Sequence, residues 1–114
     1  MRIEDMVEGL NKHIEAERVR RKIITDGHLV FQLSITQHPT IKAYKEYKAI
    51  VWFTKDRKNY KVAQVSQVAK VVDDQDKYIM RVINIDMSKA LFSLISKPAF
   101  KEIIEGKYNG NTDE

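Results

Sequence analysis

Seven basic side chains fall within twenty residues of this chain: Lys42, Lys45, Lys48, Lys55, Arg57, Lys58 and Lys61. Only Glu46 and Asp56 oppose them, which leaves a charge of +5 on the stretch. Tyr44, Tyr47, Trp52 and Tyr60 are interleaved with that charge. Cations neutralise phosphates and flat rings take unstacked bases, so this mixture suits single-stranded nucleic acid. A second basic group, Arg18, Arg20, Arg21 and Lys22, lies upstream. The expected contact set is Arg18, Arg20, Arg21, Lys45, Lys48, Lys55, Arg57, Lys58 and Lys61 for phosphates. Tyr44, Tyr47 and Tyr60 are the expected stacking platforms. The same residues have a plainer reading. Lysines on an exposed hairpin discourage sheet-to-sheet aggregation, and a basic helix end complements the dipole. The nucleic-acid reading needs the lysines and at least one tyrosine on one face.

Other chemistry finds little support. The four glycines stand alone at 9, 27, 106 and 110, so no glycine-rich phosphate loop exists. His13, His28 and His38 fall on three different elements, and no metal site is expected. Asp73, Asp74 and Asp76 lack the glycine and distal glutamate of a calcium loop and read as a solvated turn. Asp26-Gly27 is common turn chemistry. With no carboxylate pair or nucleophile in a recognisable setting, the chain reads as a non-enzyme without a cofactor.

The chain has 114 residues, a net charge of +4 and no cysteine. That length makes one domain able to bury a core without staples. The lack of cysteine excludes disulfides, thiolate zinc sites and a cysteine nucleophile. No apolar run is long enough to span a membrane, and the acidic, charge-interrupted N-terminus is no signal peptide. The expected location is the cytoplasm.

The elements follow from periodicity. Ile3, Met6, Val7, Leu10 and Ile14 recur at helical spacing, and Asp26-Gly27 ends that helix. The stripe stops at Ile14. Either the last turns project beyond the core, or the stripe drifts to Ala16, Val19 and Ile23. From His28 to Thr36, Leu29, Phe31, Leu33 and Ile35 alternate with other residues, a strand that His38-Pro39 breaks. Tyr44 to Lys55 reads as a strand with apolar residues on both faces, followed by a polar turn at residues 56–59. Tyr60 to Val72 reads as a strand with a bulge near Ser66-Gln67, a helix being the alternative. Residues 73–76 form an acidic turn, and Lys77 to Asp86 a fourth strand. Asp86 or Ser88 then caps a helix holding Leu91, Phe92, Leu94 and Ile95. Ser96-Lys97-Pro98 interrupts it, and a second helix carries Phe100, Ile103 and Ile104 up to Gly106.

The expected fold is α+β: an N-terminal helix, a four-stranded antiparallel meander and two short C-terminal helices on one sheet face. Residues 1–108 form the domain and 109–114 a mobile tail. The expected function is a small nucleic-acid-binding module using the basic hairpin. The alternative is a protein-interaction module, an adaptor or inhibitor of a larger enzyme, that forms a homodimer. Ile50 and Trp52 would be its interface, because they point away from Ala49, Val51 and Phe53 and one helical layer covers only one sheet face.

Overall fold

A computed structural model describes residues 2–24, 26–72 and 75–110. The elements are α1 (Ile3–Arg20), β1 (His28–Gln37), β2 (Tyr44–Lys55), β3 (Lys58–Lys70), α2 (Gln75–Ile95) and α3 (Pro98–Glu105). The sheet has three strands in the order β1-β2-β3, antiparallel throughout.

The fourth strand expected at Lys77 to Asp86 is the first half of α2. The α2 residues that are buried are Ile79, Ile83, Met87, Leu91 and Leu94, spaced four, four, four and three apart. That spacing builds one continuous helical stripe. Tyr78, Ile79, Val82, Ile83 and Ile85 have high β-propensity, but this longer stripe overrides it. The two short helices are therefore one of 21 residues and one of eight. Asp73 and Asp74 of the expected acidic turn lie outside the described residues. Asp76 stands in the first turn of α2, where a carboxylate complements the dipole.

The segment read as a strand over Tyr60 to Val72 is one, with bounds Lys58–Lys70 that leave out Val71 and Val72, but its bulge lies elsewhere. The register slips at Val51/Trp52, where Val51 pairs with Ala63 and Trp52 with Lys61, leaving Val62 as the extra residue. The β2–β3 connection is the two-residue turn Asp56-Arg57, with φ of 52° and 65°. Two left-handed residues in succession make the tight hairpin turn whose twist matches the sheet.

Strand alternation sorts the sheet into two faces. Tyr47, Ala49, Val51 and Phe53 are buried beneath the helices. Leu29, Phe31, Leu33 and Ile35 stand across from them on the same side. The helix α1 packs on β1, α2 on β3, and α3 against both helices. The stripe on α1 neither stops nor drifts. Arg18 takes the next core position at 7% exposure, while Ala16 and Val19 stay in solvent. Its guanidinium donates to the carbonyls of Gly27 and Ile103, so the buried charge has partners. Gly27 (φ 121°) lies so close to the Phe53 ring that a Cβ there would sit 2.4 Å from it. Gly106, left-handed at φ 76°, ends α3. Behind it Tyr108 is buried edge-on against Phe53 and Tyr60. Residues 111–114 of the expected tail lie outside the described residues.

Candidate nucleic-acid interface

Among the described residues, no helix packs on the second face of the sheet. Its cross-strand rows can be read from the register. Nearest the hairpin turn, Thr54 faces Asn59, and the Thr54 hydroxyl bonds the Asn59 side chain at 2.9 Å. The next row holds Val30, Trp52 and Lys61, and then come Gln32, Ile50 and Gln64. Ser34, Lys48 and Ser66 follow. These eleven side chains form a patch of hydroxyls, amides, two ammonium groups, two aliphatic side chains and one indole. It continues into Asp56-Arg57-Lys58 at the tip.

Hydrogen bonds within the patch fix its geometry. The Trp52 indole N–H donates to Gln32 Oε1 at 2.9 Å, drawing the ring across toward β1. Lys61 Nζ donates to Gln64 Oε1 at 2.7 Å, and Gln64 Nε2 donates to Ser66 Oγ at 3.0 Å. Trp52 and Ile50 are half-buried, so each keeps one surface toward solvent. From Lys48 to Asp56 this row of side chains runs for about 26 Å at the usual rise of a strand.

The expected contact residues divide. Lys48 and Lys61 share the open face with Ile50 and Trp52. Arg57 and Lys58 are exposed at the tip, with Lys55 beside them and near the Gly106 carbonyl, 3.4 Å away. Tyr44 is half-buried at the far end of β2. The others are engaged elsewhere. Arg18 is buried between α1 and α3. Arg20 and Arg21 both bridge to Glu17, at 2.7 and 2.9 Å. The Arg20 hydrogen bond holds the Glu17 carboxyl below its usual range, and Glu17 in turn raises Arg20. Lys45 points to Asp76, 3.8 Å away. Tyr47 is buried, its hydroxyl donating to the same Asp76 carboxylate. That hydrogen bond, with burial and the nearby charge behind it, pushes the phenol up to about 12. Tyr60 packs its ring on Tyr108.

Sequence reasoning missed Gln32, Ser34, Gln64 and Ser66. The signal was present in β1, where the alternation that buries Leu29 and Phe31 sends Gln32 and Ser34 to the opposite face. In β3 the bulge at Val62 shifts the phase, which no local pattern announces. Among the described residues, no group of three His, Asp or Glu side chains could hold a metal ion. No helix among them is long and apolar enough to cross a membrane. No protein-family model matches the chain, and no curated protein or solved structure shows significant similarity to it.

Proposed function

We propose that the chain is a small, non-enzymatic nucleic-acid-binding module that holds a single strand along the open sheet face. The strand would run from Arg57 and Lys58 at the hairpin tip past Lys61 and Trp52 to Lys48. The observation that carries this reading is the half-exposed indole of Trp52 in the same row as Lys61 and two pleats from Lys48. A flat ring takes a base, and the flanking cations take phosphates. Gln32, Gln64, Ser34 and Ser66 supply amide and hydroxyl groups for base edges. The backbone at the tip adds support. A left-handed residue in this turn is normally glycine, yet Arg57 occupies the position, and such local strain collects at functional sites. The proposal takes the module to be cytoplasmic.

The alternative, a homodimer through Ile50 and Trp52, has less behind it. The apolar patch around Ile50 and Trp52 adds only Val30, with Gln32, Gln64, Lys48 and Lys61 about it, and the exposed Val68 on the same face stands apart beyond Ser66. Stable interfaces need a larger apolar centre.

Trp52 is the only tryptophan, so its emission reads the open face without a label. Titration with single-stranded DNA and RNA oligonucleotides should quench it. Affinity should fall steeply between about 50 and about 200 mM salt. The Lys48→Gln/Lys61→Gln double variant should flatten the logarithmic salt slope by about 1.4, two phosphate contacts on a single strand. Unchanged emission at the lower salt, or an unchanged slope in the double variant, overturns the reading.

A further inference from the structure

The two edges of the sheet are unlike. The β3 edge carries Lys58, Lys61 and Lys70 and a bulge, the usual devices that keep a sheet edge from pairing with another chain. The β1 edge has none of them. Its ten residues, His28 to Gln37, include no Asp, Glu, Lys, Arg or Pro, and its register with β2 is unbroken.

Backbone direction on β1 can be fixed at two points. The His38 N–H donates inward, to the Tyr44 carbonyl at 3.0 Å. In an antiparallel strand the inward and outward residues alternate, so even-numbered residues bond β2 and odd-numbered ones face out. Leu29 agrees. Its N–H donates to Asn11 Oδ1 at 2.7 Å, and its carbonyl accepts from Asn11 Nδ2 at 2.9 Å. The Asn11 side-chain amide from α1 therefore stands where the peptide group of a neighbouring strand would stand. It fills one outward position. Phe31, Leu33 and Ile35 are the next three, with three donors and three acceptors between them. On the helix-side face, Leu33 and Ile35 are also 37% and 42% exposed, beyond the cover of α1.

The surroundings of this edge select the occupant. Between α1 and β1 runs a groove with Phe31 on its wall, lined by Glu4, Asp5, Glu8 and Glu15 against Lys12, with the exposed Arg2 guanidinium 3.9 Å from Glu4. In a chain of net charge +4 this is the acidic side. A second copy adding through β1 would bring Glu4, Asp5 and Glu8 of one chain toward the same three of the other, like charge against like.

We propose that the β1 edge from Phe31 to Ile35 takes an extended basic segment of a partner polypeptide as a fourth strand. Main-chain hydrogen bonds to Phe31, Leu33 and Ile35 supply the attachment. Lysine or arginine at alternate positions, on the helix side, meets Glu4, Asp5 and Glu8. Leu33 and Ile35 give the added strand an apolar neighbour. This site is separate from the open face, and the two stand or fall independently.

The test uses two seven-residue capped peptides, one alternating lysine and valine, the other glutamate and valine, followed by the protein's amide NMR spectrum and hydrogen exchange. The lysine peptide should bind below about 1 mM. It should slow exchange at the Phe31, Leu33 and Ile35 amides and leave their even-numbered neighbours, already bonded to β2, unchanged. The glutamate peptide should bind at least tenfold more weakly. Glu4→Gln/Glu8→Gln should weaken the lysine peptide about tenfold while leaving oligonucleotide quenching of Trp52 as it was. Leu33→Pro removes one outward N–H and no bond to β2, and should abolish peptide binding. No binding of the lysine peptide at about 1 mM, equal binding of both peptides, or protection at other amides overturns the proposal. So does protection of Phe31, Leu33 and Ile35 that rises with protein concentration alone, since that is the mark of a second copy.

Discussion

Arg18 and Ile103 stand 85 residues apart in sequence, and the guanidinium of the first donates to the carbonyl of the second at 2.8 Å. The same guanidinium reaches the Gly27 carbonyl at 3.0 Å, so one side chain joins α1, the entry to β1 and α3. Arg18→Met keeps the aliphatic stem and strips both carbonyls of their donor. Urea denaturation should show a loss of about 1–3 kcal/mol, the usual cost of orphaning buried acceptors of a charged donor. A loss within error would mean that water replaces the guanidinium freely.

Ile83 and Ile85 separate the helix from the strand that local propensity suggests. In a strand they would share a face. In α2, Ile83 is 0% exposed and Ile85 is 52% exposed. Ile83→Ala should cost about 2–5 kcal/mol, as truncations in a packed core do. Ile85→Ala should stay within about 1 kcal/mol. Comparable losses from both would contradict the helical register.

Tyr47 gives the fold an alkaline limit. Its phenol, raised from 10.0 to about 12 by the hydrogen bond to Asp76 and then by burial, prefers to stay protonated in the folded state. The unfolded chain releases that proton first. The stabilisation is therefore complete below about pH 10 and is lost as the pH rises through about 12. Unfolding free energies measured across that window should fall less for Tyr47→Phe than for the parent. An identical decline in both would remove Tyr47 as the cause.

Arg57 sets stability against binding. Its φ of 65° suits glycine, so Arg57→Gly should raise stability by about 1 kcal/mol in thermal or urea unfolding. The same change removes a cation from the hairpin tip and should weaken oligonucleotide binding, most visibly at low salt. Gain of stability with unchanged binding would detach Arg57 from the proposed site.

What was legible in the sequence had a clean period. The alternation of Leu29, Phe31, Leu33 and Ile35 gave β1, and the two-sided apolar run from Ala49 to Phe53 identified the central strand. The segment from Lys77 to Asp86 misled because ten residues of which five are β-branched or aromatic look alike in a helix and in a strand. Only the extension of the stripe through Met87, Leu91 and Leu94 distinguishes them. The site was half legible. Charge and aromatics marked the hairpin, and alternation with Ala49 and Val51 already puts Lys45 and Tyr47 on the helix side. Their partner Asp76, the contact of Tyr60 with Tyr108, and the extra residue Val62 that resets the phase of β3 are invisible locally.

The tie between Arg18 and Ile103 also bears on how the chain is made. Each strand of the meander pairs with the one synthesised just before it, so the sheet can assemble as it leaves the ribosome. The helix α1 emerges ahead of every surface it packs against. Its arginine then waits for residue 103, an interval of roughly 10 s at ordinary elongation rates of ~5–20 residues per second. Through that interval Ile3, Val7 and Ile14 have no complete core to enter. The helix α1 can settle on β1 early but is locked only when α3 arrives, and a nascent chain halted before α3 would leave the part of that apolar stripe that α3 covers open to chaperones.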